Sequence, residues 1–332
     1  MSLDDIRPIV VRSHISKIME KALLQKIKDT CPHLIETKLY QTGFKEGKST
    51  AIHASRLLHE VHGRNKRKFY MLIDLQKAYD SVDREILWKV LLDRCQEEDE
   101  RQLVNQVIKL HRQSEIEIGG HRFEAEMGLP QGSILSPVLF NVYLEEALKT
   151  SDKLESVRKR GDLLAFADDM LVMSNSVSDL SDTIEALAEL NIKWNLRLNK
   201  KKSEILTNEK LEQVNGVKCT QMVKYLGVRI VMNKKEQGKV AKEQIQKNVN
   251  LLRNRLKRAD VDVLQQLTCC LARSLLIYIG TPMVAAGIWN KSDIDRLEAG
   301  QYRKIKGCNN SISNKAILNT MTTMKLAGVA VM

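Results

Sequence analysis

The pattern of apolar and polar positions predicts a chain of alternating helices and short strands. Helical spacing runs from Ile15 to Ile27, with Ser13 as a plausible cap and Pro32 as the stop. The same helical spacing recurs at 52–61, 82–91, 138–147, 180–194, 245–256 and 263–275. Strand-like runs appear at 69–75, 196–198, 203–206 and 224–231, and a hairpin with a Gly-Gly turn is predicted at 115–123. Pro137 favours a helix start at Ser136.

Two adjacent acids, Asp168 and Asp169, lie between apolar runs that are each long enough for one strand. This pattern predicts a β-hairpin with both acids at its turn. Like charges a few ångströms apart repel one another and are costly to desolvate, so such a pair favours a bound divalent cation such as Mg²⁺ or Mn²⁺. The alternative is a solvated turn with two chance acids, because turns favour Asp.

A third acid, Asp74, ends the apolar strand that begins at Phe69. It either begins a turn or serves as a metal ligand. The next helix is predicted to be capped by Asp80 or Ser81. Three carboxylates on adjacent strands could hold two divalent ions about 4 Å apart, the arrangement used for in-line phosphoryl transfer.

Two loops rich in glycine could approach a ligand closely. The loop 41–50 carries Lys45 and Lys48 and leads into a helix, a setting that suits phosphates, although its glycine spacing does not match a Walker A motif. The loop 127–133 contains Gln131, which offers a donor and an acceptor. A tight structural turn is the alternative for this second loop.

The charge of the chain is uneven. It has 53 Lys and Arg against 41 Asp and Glu, and the stretch 197–258 alone holds seventeen Lys and Arg against five Glu and no Asp. Such a tract indicates a polyanionic partner such as nucleic acid, with a solvated surface as the alternative. No apolar run is long enough to cross a membrane, the N-terminus lacks a secretory signal, and the six cysteines show no zinc spacing.

Taken together, these motifs resemble the reverse transcriptases, and within them the non-LTR (LINE-type) retrotransposon enzymes. The resemblance covers about residues 6–308 and consists of seven blocks in family order. The two most informative are Phe-Ala-Asp-Asp at 166–169 and Asp-Leu-Gln-Lys-Ala-Tyr-Asp at 74–80. The others are Arg7-Pro8-Ile9 with Ile15-Ser16-Lys17, Gln41-Thr42-Gly43-Phe44, Gly128-Leu129-Pro130-Gln131-Gly132 with Ser136-Pro137, Leu198-Asn199 with Lys202-Ser203, and Tyr225-Leu226-Gly227.

The resemblance implies an α+β right-hand polymerase with fingers, a ferredoxin-like palm of βαββαβ type and a helical thumb. The implied boundaries are 1–68 for the N-terminal part of the fingers, 69–235 for the palm with interleaved fingers elements, and 236–300 for the thumb. A primer-grip hairpin is implied near 223–232, and the tail 301–332 stays unassigned.

The resemblance also implies roles for individual residues. Asp74, Asp168 and Asp169, with the Leu75 carbonyl, would bind two Mg²⁺ or Mn²⁺ ions. Tyr79 would lie under the incoming sugar and exclude a 2′-hydroxyl, and Gln131 would line the nucleotide pocket. Lys202 would act as general acid, with its neighbours Lys200 and Lys201 as the alternatives for this role. Lys45 and Lys48 would hold the triphosphate. Nucleic acid would contact Tyr225, Leu226, Gly227, Lys242, Lys247, Arg253 and Arg255.

The expected activity is RNA-directed DNA synthesis, with an RNA template, a DNA primer or target DNA, and dNTPs as partners. Because the chain begins near the first block and its cysteines form no Cys/His knuckle, we expect a polymerase core, a fragment or a remnant rather than a self-sufficient retrotransposon protein. The alternatives are an inactive remnant that binds RNA or DNA, and an intron-type maturase, for which the 32 residues after Gly300 are too few. The nucleus and the cytoplasm both fit as the compartment.

Overall fold

The computed structural model describes residues 10–38, 40–64, 67–112, 115–118, 121–124, 127–255 and 261–306. Its helices are α1 (His14–Thr30), α2 (Thr50–His62), α3 (Arg84–Asp93), α4 (Glu98–Arg112), α5 (Ser136–Lys149), α6 (Asp152–Lys159), α7 (Val177–Trp194), α8 (Lys234–Arg255), α9 (Val261–Ala285) and α10 (Lys291–Lys306). Its strands are β1 (Phe69–Ile73), β2 (Leu75–Gln76), β3 (Glu115–Ile118), β4 (His121–Glu124), β5 (Leu163–Phe166), β6 (Asp169–Ser174), β7 (Arg197–Leu198), β8 (Glu204–Leu206), β9 (Gln213–Val214), β10 (Val217–Thr220), β11 (Met222–Tyr225) and β12 (Val228–Val231). Within the described ranges, no helix combines the length and the apolar character needed to span a bilayer.

The chain forms two compact units. The first combines residues up to Ser49 with Lys68–Thr220, and the second combines Thr50–Arg67 with the chain from Gln221 onward. The implied fingers, palm and thumb boundaries stay predictions. The motif Arg7-Pro8-Ile9 and the residues after Lys306 lie outside the described residues.

A six-stranded sheet in the order β5-β6-β1-β8-β10-β9 organises the first unit. The first four strands pair antiparallel throughout, and α5 and α7 occur in the two connections that cross over. This order is that of a βαββαβ, ferredoxin-like core, so the predicted α+β class is confirmed. The strand β1 lies inside the sheet and is buried along almost its whole length, which explains its continuous apolar run.

The helix α5 supplies much of the core beside this sheet. It begins at Ser136 with Pro137 in its first turn, as predicted. Tyr143 is fully buried, donates its hydroxyl to the carbonyl of Trp194 at 2.8 Å, and meets the Trp194 ring edge-on at 5.0 Å. The contact ties α5 to the end of α7, and it satisfies a hydroxyl that would otherwise be costly to bury.

The helix α1 forms where predicted, but only the C-terminal part of its apolar stripe is buried: Ile27 is 3% exposed, and Leu23 packs partly buried against the core. Ser13 caps it by accepting from the Ser16 amide. Ile15 and Ile18 are 72% and 68% exposed, whereas Glu20 is fully buried. Glu20 pairs with Arg12 and accepts from the amide of Ile134 at 2.7 Å, so polar contacts hold the helix in addition to the apolar packing near its C-terminal end.

The observed starts of two other helices differ from the prediction. Asp83, not Asp80 or Ser81, caps α3 by accepting from the Ile86 amide at 3.1 Å, because the turn continues past Ser81. Ser176 caps α7, which begins before the predicted Ser178 or Asp179. The sequence analysis does not predict β9, which has only two residues, or β10, which has four.

In the second unit, the hairpin β11–β12 packs against α8 through two glutamines. Gln237 accepts from the Val231 amide and donates to the Arg229 carbonyl, both at 2.8 Å. Gln244 accepts from the Arg229 amide at 3.0 Å and donates to the Gly227 carbonyl at 2.6 Å. The backbone edge of β12 is therefore hydrogen-bonded by side chains instead of a further strand.

The buried Arg12–Glu20 pair predicts a large stability effect. Glu20→Ala leaves the guanidinium of Arg12 and the Ile134 amide without this partner in the interior, so we expect the free energy of unfolding to fall by about 3–5 kcal/mol. Urea denaturation measures it. The control is Glu85→Ala, which breaks an exposed pair with Arg112 and is expected to cost less than about 1 kcal/mol. Equal losses in the two variants would contradict the prediction.

Candidate active site

The pairing of β1 with β6 brings Asp74 to the acidic hairpin. Ile73 lies opposite Met170, so Asp74 follows β1 at the end where β6 begins with Asp169. Because Phe166 pairs with Asp169, the hairpin turn consists of Ala167 and Asp168 alone. The predicted hairpin is thus confirmed, but only Asp168 lies in its turn, since Asp169 is already the first residue of β6. Both acids lie near the end of the strand that carries the third.

Asp74 and Asp168 line one cavity of about 1020 Å³ in the first unit, whereas Asp169 does not line it. Four further predicted site residues line the same cavity: Leu75, Tyr79, Gln131 and Lys202. Asp80, Phe44 and Met127 are also among its lining residues. Asp169, at the start of β6, is exposed, whereas the other two acids face the cavity.

Asp74 is held by the loop that follows β7. The side-chain amide of Asn199 donates to Asp74 Oδ2 at 2.8 Å, and the Asn199 backbone amide donates to the Asp74 carbonyl at the same distance. The Asp74 amide donates to Ser203 Oγ at 3.0 Å. These bonds fix both the backbone and the carboxylate of Asp74, which the sequence motif alone did not indicate.

Tyr79 is positioned by stacking and by backbone contacts. Its ring stacks on Phe140 with centroids 4.7 Å apart and planes 16° apart. Burial raises the pKa of the Tyr79 hydroxyl above its usual value, and the negative charge of Asp168 raises that pKa further. The hydroxyl is therefore neutral at physiological pH and close enough to Asp168 to sense its charge.

The loop with Gln131 packs against the Tyr79 segment. The amide of Leu129 donates to the Tyr79 carbonyl at 2.8 Å. At Gly128, where φ is +80°, a Cβ atom would lie 2.9 Å from the Cα of Asp80, so this position excludes a side chain. The Gln131 carbonyl accepts from the Val10 amide at 2.8 Å, which anchors the loop on its other side.

Three cations line the cavity: Lys77, Arg197 and Lys202. Lys200 and Lys201, the alternatives for the predicted general acid, are not among the lining residues. The sequence analysis assigned no role to Lys77 or Arg197. No local sequence signal indicates them, because they come together through the pairing of β2 with β7, in which Gln76, next to Lys77, lies opposite Arg197.

The structure does not bring Lys45 and Lys48 into the cavity lining. The ammonium of Lys45 donates to the carbonyls of Thr37 and Lys38, the latter at 3.2 Å. Its burial lowers the pKa of Lys45. Lys45 thus serves to hold its own loop, and Lys48 is exposed.

The remaining predicted residues belong to the second unit. Tyr225 is buried, with its hydroxyl 3.1 Å from Nδ1 of His53, and Leu226 and Gly227 form the hairpin turn with positive φ. Lys242 and Lys247 are exposed on α8, while Ile245 and Val249 face inward, as the amphipathic pattern predicts. The side chains of Arg253 and Arg255 lie outside the described residues.

The chemistry of the donor set tests whether a divalent ion fits. Among the described residues, no group of three or more His, Cys, Asp or Glu side chains is arranged as a metal site. Asp74, Asp80 and Asp168 nevertheless line the same cavity, and carboxylate oxygens suit hard divalent cations. The donor chemistry therefore fits a magnesium-like ion.

Comparison with known proteins gives one family and several relatives. A family model described as "Reverse transcriptase (RNA-dependent DNA polymerase)" matches residues 2–230. The chain is 25% identical over 253 residues to the RNA-directed DNA polymerase from mobile element jockey of Drosophila melanogaster, which covers 69% of this chain and 27% of that protein. It is 24% identical over 209 residues to the Pol polyprotein from type-1 retrotransposable element R2 of Popillia japonica, covering 59% and 29%.

Among solved structures, the chain is similar to telomerase from Candida albicans, with a TM-score of 0.47 and 13% identity. That match covers 93% of this chain and 54% of the telomerase. The chain spans about a quarter of the length of the curated mobile-element relatives.

The raised pKa of Tyr79 predicts a pH dependence of stability. In the unfolded chain this hydroxyl ionises near pH 10, whereas in the folded protein it stays neutral to higher pH. Its contribution is therefore fully present below about pH 10 and is lost as the pH rises further. Raising the pH from 8 to 10.5 should therefore lower the free energy of unfolding of the wild type by about 1 kcal/mol more than that of Tyr79→Phe.

Urea denaturation at the two pH values measures this difference. A Tyr79→Phe variant with the wild-type pH dependence would show that the hydroxyl ionises equally in both states.

Proposed function

Since the chain belongs to the reverse transcriptase (RNA-dependent DNA polymerase) family, we propose that it extends a primer 3′-hydroxyl with deoxynucleotides on an RNA template. The family inferred from the motifs is confirmed. The observation that carries the proposal is the cavity that Asp74 and Asp168 line together with Tyr79, Gln131 and Lys202. The names of the jockey and R2 relatives support a non-LTR mobile element as the source of the template.

Polymerases of this family depend on divalent metal ions in general. We infer that Asp74, Asp168 and Asp169, with the Leu75 carbonyl, would hold two Mg²⁺ or Mn²⁺ ions. When bound, such ions would supply positive charge at the 3′-oxygen and at the phosphates. The hydrogen bond from Asn199 leaves the second oxygen of Asp74 available and fixes the direction of the carboxylate.

The other cavity residues would bind and orient the nucleotide. The stacked ring of Tyr79 presents a rigid surface against which a ribose 2′-hydroxyl would clash, so dNTPs are selected over rNTPs. Gln131 would contact the base or sugar through its amide. Lys202 would hold a proton at Nζ for the leaving pyrophosphate, with Lys77 and Arg197 adding positive charge for the triphosphate.

Nucleic acid is the proposed partner of the second unit. Lys242 and Lys247 are exposed on α8, and the helix continues a basic tract that carries no Asp between 197 and 258. Exposed ammonium groups at helical spacing suit the phosphates of a duplex. The turn at Leu226 and Gly227 would approach the primer through its backbone, because the Tyr225 ring is buried.

The proposal predicts that the purified protein extends a DNA primer on an RNA template with Mg²⁺ or Mn²⁺. Asp168→Asn should reduce kcat by at least about a thousandfold, because one metal-binding charge is lost, while the protein still folds. Primer extension on gels measures the rate, and circular dichroism reports folding. The control is Asp182→Asn, which removes an exposed carboxylate on α7 and should keep the wild-type rate.

Two outcomes would overturn the proposal. Normal synthesis by Asp168→Asn would show that the Asp168 carboxylate is not needed for the reaction. Salt-sensitive RNA binding by the wild type without incorporation on either metal would instead indicate a nucleic-acid-binding remnant.

The proposed role of Tyr79 predicts a change in sugar selectivity. Tyr79→Val removes the ring beneath the sugar, so the ratio of kcat/KM for dNTP to that for rNTP should fall by about tenfold or more. Single-nucleotide incorporation with matched dCTP and CTP measures the ratio. Tyr143→Phe, a change in the buried core away from the cavity lining, is the control and should keep the wild-type ratio. An unchanged ratio in Tyr79→Val would exclude the ring as the sugar filter.

A further inference from the structure

Residues 40–43 extend the sheet at the acidic hairpin. The strand β5 lies at the edge of the six-stranded sheet, and Gln41 forms a parallel bridge with Ala165 on its outer side. The amide of Ala165 donates to the Tyr40 carbonyl at 2.8 Å, and the Thr42 amide donates to the Ala165 carbonyl at 3.0 Å. The segment thus covers the strand edge that leads directly into the turn with Asp168.

The side chain of Gln41 reaches the turn itself. Its Oε1 accepts from the amides of Ala167 at 2.9 Å and of Gly43 at 3.0 Å, and its Nε2 donates to the Ala167 carbonyl at 3.1 Å. Gln41 is fully buried. One side-chain amide therefore satisfies both backbone polar groups of the residue that precedes Asp168.

The backbone of Ala167 needs such support. Its φ is +57°, a left-handed conformation that is disfavoured for a residue with a Cβ atom. The backbone of Gly43 lies so close that a Cβ atom there would be 2.3 Å from the Ala167 nitrogen. The Gly43 carbonyl in turn accepts from the side chain of Asn141 at 2.8 Å, which ties the segment to α5.

We propose that Gln41 is a positioning residue: its amide holds the Ala167 backbone in the left-handed conformation that directs the Asp168 carboxylate into the cavity. This inference rests on the proposed polymerase function, because it gives the orientation of Asp168 a catalytic consequence. Gln41 is not itself among the cavity-lining residues and acts through the turn.

A positioning role differs from a merely structural one in what it changes. Losing two or three buried hydrogen bonds lowers stability anywhere in the protein. Only a shift of the turn lowers kcat while leaving nucleotide and template binding intact, since a misplacement of about 1 Å at a reacting centre can cost about a hundredfold in rate.

The test uses Gln41→Met, which has similar length but no amide. We expect kcat for primer extension to fall by about 10- to 100-fold, with KM for dNTP and Kd for template–primer within about twofold of the wild type. We also expect faster hydrogen–deuterium exchange of the Ala167 amide in peptides spanning 163–170, because Gln41 is its hydrogen-bond acceptor. Exchange at β8 should not change.

Thr207→Val is the matched control. Thr207 is a buried side chain in the same unit that also makes two backbone hydrogen bonds, to the Lys68 carbonyl and from the Glu209 amide, but it does not line the cavity. This variant should lose stability while retaining the wild-type kcat and the wild-type exchange at 163–170. If Gln41→Met does not fold, Gly43→Ala perturbs the same turn by steric pressure and should give the same loss of kcat.

The results separate the two proposals. A wild-type kcat in the folded Gln41→Met variant, a loss confined to KM, or unchanged exchange of the Ala167 amide would overturn the role of Gln41. If the wild-type protein itself extends no primer, the proposed function fails, and the exchange measurement alone then decides whether Gln41 holds the turn.

Discussion

The antiparallel pairing of β1 with β6 is the constraint on which the candidate site depends. Side chains alternate between the faces of a strand, so a slip of one residue between Ile73 and Met170 would move Asp74 to the opposite face from its present neighbours. Burial of β1 between β6 and β8 makes such a slip costly, because it would exchange the buried side chains of the whole strand. The hydrophobic interior of the sheet thereby sets the relation between two carboxylates that would otherwise repel one another.

Local chemistry explains the parts of the fold that could be predicted from sequence. The hairpin with Asp168 could be predicted because its two apolar runs and the acidic turn are contiguous in sequence. The start of α5 could be predicted because Pro137 marks a first helical turn. The predicted cap of α3 was wrong by two or three residues. Asp80, Ser81 and Asp83 can all act as N-caps, and the tertiary course of the preceding turn determines which of them does.

The supports of the site could not be predicted, because each joins residues that are distant in sequence. Asn199 bonds to Asp74, Gln41 to Ala167 and Glu20 to the Ile134 amide, and no periodicity links the members of such pairs. The helix α1 shows the same limit from the other direction. Its apolar stripe predicts a helix correctly, but burial changes along it: Ile15 and Ile18 are exposed while Ile27 is buried, and the side chains of the polar Arg12–Glu20 pair are buried as well.

The two glutamines of α8 give the second unit a mechanical property. Gln237 and Gln244, seven residues apart along the helix, each donate one hydrogen bond to the hairpin backbone and accept one from it. Their partners lie in β12 and at Gly227, which precedes it. Sliding the helix along the strand would break all four bonds together, so these bonds set the register between α8 and the hairpin. The same four bonds fix where the turn at Leu226 and Gly227 lies relative to the exposed ammonium groups of Lys242 and Lys247 on α8.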